Sequence, residues 1–283
     1  MRHGIKSLWA IFAVCVLLAG CQTEEAPEAT DSVTTIQQTV LYEENGIRIT
    51  AVELTEGVLG PKVVTQIANT TEKDITVTIG EVSANRYMLP LSGLRCNVAA
   101  GETVTDGINL LTEDLEQAGI ELLAILEFRV HLTEAATGAA IADSEVLRLT
   151  TSRWIYFQPT DDEGEILFKD EKIRIISKGL KEDNAWDGTL VFFMENKSKK
   201  DIYIFAENLE VNGEKVEAGL WSTLRSGTNL VDGMALLNLK ELKLTDIRQI
   251  HSIVFDIRIA DASDLSLVAH AEDVSLAFET EEE

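Results

Sequence analysis

Beyond residue 38 the chain alternates apolar and polar side chains with a period of two, the signature of half-buried strands. Ile47, Ile49 and Ala51 alternate with Arg48 and Thr50, and Ile173 and Ile175 flank Arg174. The cleanest runs are Leu126-Phe128-Val130-Leu132 and Ile253-Phe255-Ile257-Ile259, each placing four apolar side chains on one face of an extended chain. Val63 to Ile67 and Leu190 to Met194 are short continuous apolar runs, suited to strands deeper in a sandwich. Asn69-Thr70-Thr71 and Asn196-Lys197-Ser198 are turn chemistry, each followed by a further strand pattern. Such segments, recurring with Gly and Asn between them, predict a two-sheet antiparallel sandwich. One helical turn interrupts each half. Thr112 is placed to cap Glu113 to Ala118 with Gly119 as the stop, and Asn238 with Glu241 has capping-box spacing. Both are read as crossovers between sheets. Nothing else approaches helix length, which excludes a doubly wound α/β fold.

The pattern also repeats, with a period of about 126 residues. Val40-Leu41-Tyr42 through Ile47-Arg48-Ile49 matches Ile166-Leu167-Phe168 through Ile173-Arg174-Ile175. Asn69, Lys73, Asp74 and Ile75 match Asn196, Lys200, Asp201 and Ile202, and Asp106-Gly107 finds Asp232-Gly233. Duplication of one domain explains this better than chance. The predicted repeats are residues 39–152 and 165–283, each expected to fold by itself, joined by a linker at 153–164 that contains Pro159 and Asp161-Asp162-Glu163-Gly164. Trp154 and Tyr156 are expected to pack at the junction, and Trp221 to be semi-buried core.

The N-terminus has a different grammar. Arg2 and Lys6 precede an apolar run from Leu8 to Leu18, too short to span a bilayer, and together they predict a signal peptide over residues 1–20. Leu18-Ala19-Gly20-Cys21 resembles the lipobox of bacterial lipoproteins. The resemblance implies that Cys21 becomes the first mature residue and carries thioether-linked diacylglycerol, with palmitate-type acyl chains as the membrane anchor. Residues 21–38, rich in Glu, Thr, Ala and Ser without apolar periodicity, predict a flexible acidic tether. With Cys15 lost and Cys21 lipidated, Cys96 is the one thiol left, so no internal disulfide forms; its counterpart Ser222 points to a structural position for a small, weakly polar side chain.

Lipobox and repeats together resemble tandem immunoglobulin-like lipoproteins of Gram-positive bacteria that have no assigned function. The resemblance rests on the opening VLYEENGIRI, the Asn-x-x-x-Lys-Asp-Ile turn and the segment AAGETVTDG. It implies an all-β protein of two tandem immunoglobulin-like antiparallel sandwiches, each with a short helical crossover. It also implies lipid anchoring at the extracytoplasmic face of the cell membrane, and brings no active site with it.

Charge narrows the partners. The chain has 24 basic and 48 acidic side chains, a net charge of −24, which argues against nucleic acid and against polybasic attachment to lipid. The excess is even: residues 39–152 hold 7 basic and 17 acidic side chains, residues 165–283 hold 14 and 24, so each copy carries −10. No Gly-x-Ser-x-Gly elbow is present, and after cleavage only His131, His251 and His270 remain, with no two at metal-ligand spacing. The Asp183 to Gly188 loop opens like a calcium loop, but Ala185 takes a liganding position and Met194 stands where the bidentate Glu belongs. Neither metal nor cofactor is expected. That loop does set Trp186 among Asp183, Asn184 and Asp187 where the first copy has Gly60-Pro61, so these four residues are the candidate contact for a partner. The expected function is a non-catalytic binding or interaction module that meets an envelope protein or glycan through its loops. The alternative is a solute-capturing lipoprotein serving a transporter.

Overall fold

The two-residue period is realised as strand through most of the chain. The computed structural model describes residues 33–182, 188–216, 219–236, 239, 242–244 and 246–278. Cys21, the loop residues Asp183, Asn184, Trp186 and Asp187, and the Asn238–Glu241 capping box lie outside the described residues. The first repeat contains β1 (Thr39–Glu44), β2 (Ile47–Glu56), β3 (Pro61–Asn69), β4 (Ile75–Ala84), β5 (Tyr87–Met88), β6 (Leu94–Val98), β7 (Thr103–Asn109), α1 (Thr112–Gln117), β8 (Ile125–Glu134), β9 (Ala140–Asp143) and β10 (Leu147–Thr150). The second contains β11 (Glu165–Lys169), β12 (Ile173–Lys181), β13 (Thr189–Asn196), β14 (Ile202–Val211), β15 (Glu214–Lys215), β16 (Leu220–Leu224) and β17 (Asn229–Ala235). It continues through a 3-10 turn at Ile247–Gln249 to β18 (Ser252–Asp261) and β19 (Leu267–Ala277).

Strand pairing repeats with the sequence. The order β1-β2-β3-β7 in one sheet of the first repeat recurs as β11-β12-β13-β17, and β10-β8-β4 with β6 at its side recurs as β19-β18-β14 with β16. The pairs are antiparallel except for one parallel bridge, Tyr87 to Asn229 between β5 and β17, which fuses the facing edges into a ten-stranded central sheet. The all-β sandwich class expected from the pattern is the class observed. The α1 helix carries the chain from the first outer sheet to the central sheet, and the 3-10 turn does the same between the central and last sheets.

The shared sheet gives the two copies different surroundings. In β3 burial alternates and Gln66 is exposed, as for a strand with one wet face. In β13 every residue from Leu190 to Asn196 is buried. Leu190, Phe192 and Met194 join the second core, whereas Phe193 and Ile176 join the first core. The copies therefore do not have separate apolar sets. A polar clamp completes the joint: Arg225, only 2% exposed, donates to Glu81 O at 2.8 Å, Ser83 Oγ at 2.7 Å and Glu127 Oε2 at 3.1 Å. Beside it Arg129 pairs with Glu81 and, at 2.8 Å, with Asp201. Thr34–Glu283 form one compact unit.

Turn chemistry is duplicated atom for atom. Asn69 Nδ2 donates to Lys73 O and Val98 O at 2.8 and 3.1 Å, and Asn196 Nδ2 donates to Lys200 O and Leu224 O at 2.9 and 3.0 Å. Asp74 and Asp201 each accept from a backbone N–H in the next turn, Ala100 and Ser226, at 2.8 Å. Gly101 and Gly227 in those turns share φ of +74°, a conformation glycine adopts without strain.

Three local expectations are corrected. The cap of α1 is Leu111, with no side-chain hydrogen bond; Thr112 lies one residue inside and its hydroxyl donates to Leu59 O at 3.3 Å. Trp221 is 70% exposed, because the alternation of β16 turns Leu220, Ser222 and Leu224 inward and Trp221 out. Trp154 is exposed beyond the last strand of the first repeat. At the other end, part of the segment assigned to the tether is drawn into the fold: Ile36 bridges Thr151, and Ser152 N donates to Thr35 O at 2.7 Å.

Candidate functional site: an aromatic face and an inter-repeat cleft

Cross-strand neighbours on the outer face of the last sheet bring aromatic rings together. Phe205 on β14 lies opposite Trp221 on β16 and opposite Arg258 on β18, while Tyr203 lies opposite Thr223 and Ala260. Trp221 and Phe205 stack at 5.8 Å with 29° between planes, and Tyr203 meets Trp221 edge-on at 5.8 Å and 84°. Arg258 covers Phe205, its guanidinium carbon 3.9 Å from the ring centroid, and its Nη2 pairs with Glu207 Oε1 at 3.0 Å. This stacked cation both fixes the ring and sets planar polar groups at its border. The result is a short aromatic row with one indole largely in solvent.

The first repeat has nothing similar. By the same strand register Thr76, Thr78, Arg95 and His131 stand where Tyr203, Phe205, Trp221 and Arg258 stand. His131 faces outward as its alternation requires, with Nδ1 2.7 Å from Asp143 Oδ1. Identical pins with different outer faces are what a rigid scaffold permits, since surface side chains vary without disturbing it.

A cleft of about 830 Å³ opens where the repeats meet, lined by Leu91 and Asp114 of the first and Lys181, Thr189, Val191 and Asp232 of the second. Two of its carboxylates, Asp114 and Asp232, are committed. Asp114 Oδ2 accepts from Ser92 Oγ at 2.6 Å and Leu91 N at 3.0 Å; Asp232 accepts from Ser222 Oγ at 2.5 Å and Gly233 N at 2.8 Å. Burial nevertheless raises both from the ordinary carboxylate value. The candidate loop with Trp186 lies outside the described residues, but Lys181 and Thr189, which flank it in sequence, line this cleft.

Cys96 is half-buried against the first core, and burial raises its thiol pKa, first through desolvation and then through Asp106. That environment suppresses the thiolate a nucleophile needs. Among the described residues no three His, Cys, Asp or Glu side chains group as a metal site would require, and no helix is long and apolar enough to cross a membrane. Sequence reasoning missed the aromatic row, although strict alternation through Leu220-Trp221-Ser222 carried the signal.

No family model matches the chain, and no curated relative does either. The crystal structure of red sea bream transglutaminase is similar at 10% identity over 88% of this chain and 32% of that one, with a TM-score of 0.19. The chain thus spans about a third of that protein's length, and a likeness this slight carries no argument about activity.

Proposed function

We propose that this chain is a lipid-anchored, extracytoplasmic binding module without catalytic activity, whose second repeat holds a neutral glycan on the Tyr203–Phe205–Trp221 face. The carrying observation is the exposed Trp221 stacked on Phe205 and bordered by the Arg258–Glu207 pair. The π face of an indole is electron-rich and meets the C–H groups of a sugar ring, while planar charged side chains at its edge bond ring hydroxyls. The chain's charge of −24 disfavours a polyanionic glycan. Attachment at Cys21 would keep the face at the membrane surface.

Binding of soluble neutral oligosaccharides, read by calorimetry, tests the face: Trp221→Ala should abolish it with the fold intact. Undiminished binding by that variant rejects the assignment, and turnover of any bound substrate rejects the non-catalytic reading. Fractionation of cells expressing Cys21→Ser tests the anchor. A variant distributed like wild type would show that Cys21 carries no lipid.

A second reading, solute capture for a transporter, is favoured by the cleft at the joint, whose volume suits a small ligand. Ligand-induced thermal shifts lost in Thr189→Trp and retained in Trp221→Ala would support it.

A further inference from the structure

Directly after Arg153 the linker carries four large side chains, Trp154-Ile155-Tyr156-Phe157, in a strongly acidic chain. Three stand in solvent: Trp154 is 63%, Ile155 78% and Phe157 77% exposed. Their exposure is held by hydrogen bonds on both sides of the turn. Arg153 N donates to Thr151 Oγ1 at 3.0 Å, Trp154 N to Thr151 O at 3.2 Å, Tyr156 N to Arg153 O at 2.8 Å, and Gln158 Nε2 to Gly119 O at 2.8 Å. Contiguous exposed apolar side chains of this size mark a contact surface.

The same turn lies where the chain departs toward Cys21. Thr35 N donates to Ser152 Oγ at 3.0 Å and Ser152 N returns a bond to Thr35 O at 2.7 Å, two residues before Trp154. Val33, two residues further toward the N-terminus, is exposed. Eleven residues lie between Cys21 and Val33, a length that cannot reach beyond about 40 Å even fully extended. The chain's exit therefore stays within a short distance of wherever the lipid is held.

We propose that Trp154, Ile155 and Phe157 dip into the headgroup–acyl boundary of the bilayer in which Cys21 is anchored. The proposal rests on the lipid-anchor reading above. Trp is at home in that boundary, with an apolar ring and one polar N–H, while Ile and Phe supply apolar area. Exposed Arg148 lines a groove with Trp154 and Thr35 and is available to lipid phosphates. The nearest linker carboxylates are already paired, Asp161 with Lys178 and Asp162 with Arg174, both at 2.6 Å. Repulsion from the remaining acidic surface is screened beyond about 8 Å at physiological ionic strength. The tether then acts as a short leash, and the turn fixes which side of the molecule faces the membrane.

The test uses the lipidated full chain in vesicles of phosphatidylcholine and phosphatidylglycerol with brominated acyl chains. Bromine should quench part of the tryptophan emission in wild type, and Trp154→Ser should remove that part. After proteolytic cleavage within the tether, the released chain should still float with vesicles, and Ile155→Ser/Phe157→Ser should reduce flotation by about tenfold or more. Absence of Trp154-dependent quenching, or flotation equally weak in wild type and variant, overturns the proposal. So does a change in molar mass between wild type and variant without vesicles, which would make the turn a contact between copies. If Cys21 proves unlipidated, the anchor reading fails alone, since flotation of the chain still measures the turn.

Discussion

The two repeats hold equivalent turns with equivalent atoms and yet present different sides to their surroundings. Asn69 and Asn196 bond the same pair of carbonyl positions, and Asp74 and Asp201 close the same neighbouring turn. Around those pins the environments diverge. The first repeat's β3 has a wet face, whereas the second repeat's β13 is enclosed because the copies share a central sheet. On the opposite sheets the divergence reverses: the second repeat bears the exposed aromatic row, and the first bears Thr78, Arg95 and His131 at those positions. The equivalent turns share what sets backbone geometry while the outer faces differ, as the different costs of altering buried hydrogen bonds and surface side chains lead one to expect.

The largest difference should appear at the pair Phe193 and Gln66, which occupy one register position in the two copies. Phe193 is fully buried, faces the first repeat's core and lies 6.4 Å from the Tyr87 ring. Phe193→Ala should cost about 3–5 kcal/mol, and Gln66→Ala should stay within about 0.5 kcal/mol, both read from urea midpoints. Equal effects would mean that β13 is not enclosed. Arg225→Ala should approach the larger figure, because it strands Glu127 and the hydroxyl of Ser83 without their buried cation.

Next come the pins. Asn69→Ala and Asn196→Ala should each cost about 1–3 kcal/mol, since each leaves buried carbonyls without a donor. The expected outcome is near equality. A large inequality in denaturant midpoints would show that one turn has been relieved of its structural task.

A pH test sharpens the comparison at the Asp-Gly pair. Asp106 has Lys62 Nζ at 3.3 Å, but Thr189 takes the place of Lys62 in the second copy and Asp232 is left with two neutral donors, the Ser222 hydroxyl and Gly233 N. Burial raises Asp232, so the folded state binds its proton more readily than the unfolded state does. This carboxyl therefore disfavours folding at neutral pH, and its penalty fades as pH falls through its raised pKa toward the unfolded value of about 3.9. Asp232→Asn should flatten that portion of the stability–pH profile. An unchanged slope would remove Asp232 as its source.

Much of this architecture is legible in the residues. Strand positions follow from the alternation, and the repeat is visible in the Asn, Asp and Gly pins because turns need particular residue types. The enclosure of β13 is only half legible: Leu190 to Met194 and Val63 to Ile67 read alike as apolar runs, and which one is covered on both faces depends on long-range packing of the copies. The expectation of a semi-buried Trp221 overlooks the period of two between Leu220 and Ser222, which turns it outward. Trp154 escaped for a different reason, since in a turn no periodicity tells a side chain which way to face. Thr112 missed the helix cap by one residue because Leu111 holds the extended cap conformation with no side-chain bond of its own.

The smallest effect on stability should accompany the sharpest functional difference. Trp221→Arg gives the second repeat the side chain that the first carries at Arg95. Trp221 is 70% exposed and its backbone pairs with β14 whatever side chain it bears, so the urea midpoint should move by no more than about 0.5 kcal/mol. Phe205 would keep its cover from Arg258, and the Arg258–Glu207 pair would remain. What disappears is the flat indole face and, with it, the surface on which a sugar ring could stack. Loss of oligosaccharide binding with an unmoved midpoint would assign the difference between the repeats to ligand recognition. A loss of several kcal/mol would instead make the row a packing device for the sheet, and the repeats would then differ in how they are stabilised rather than in what they bind.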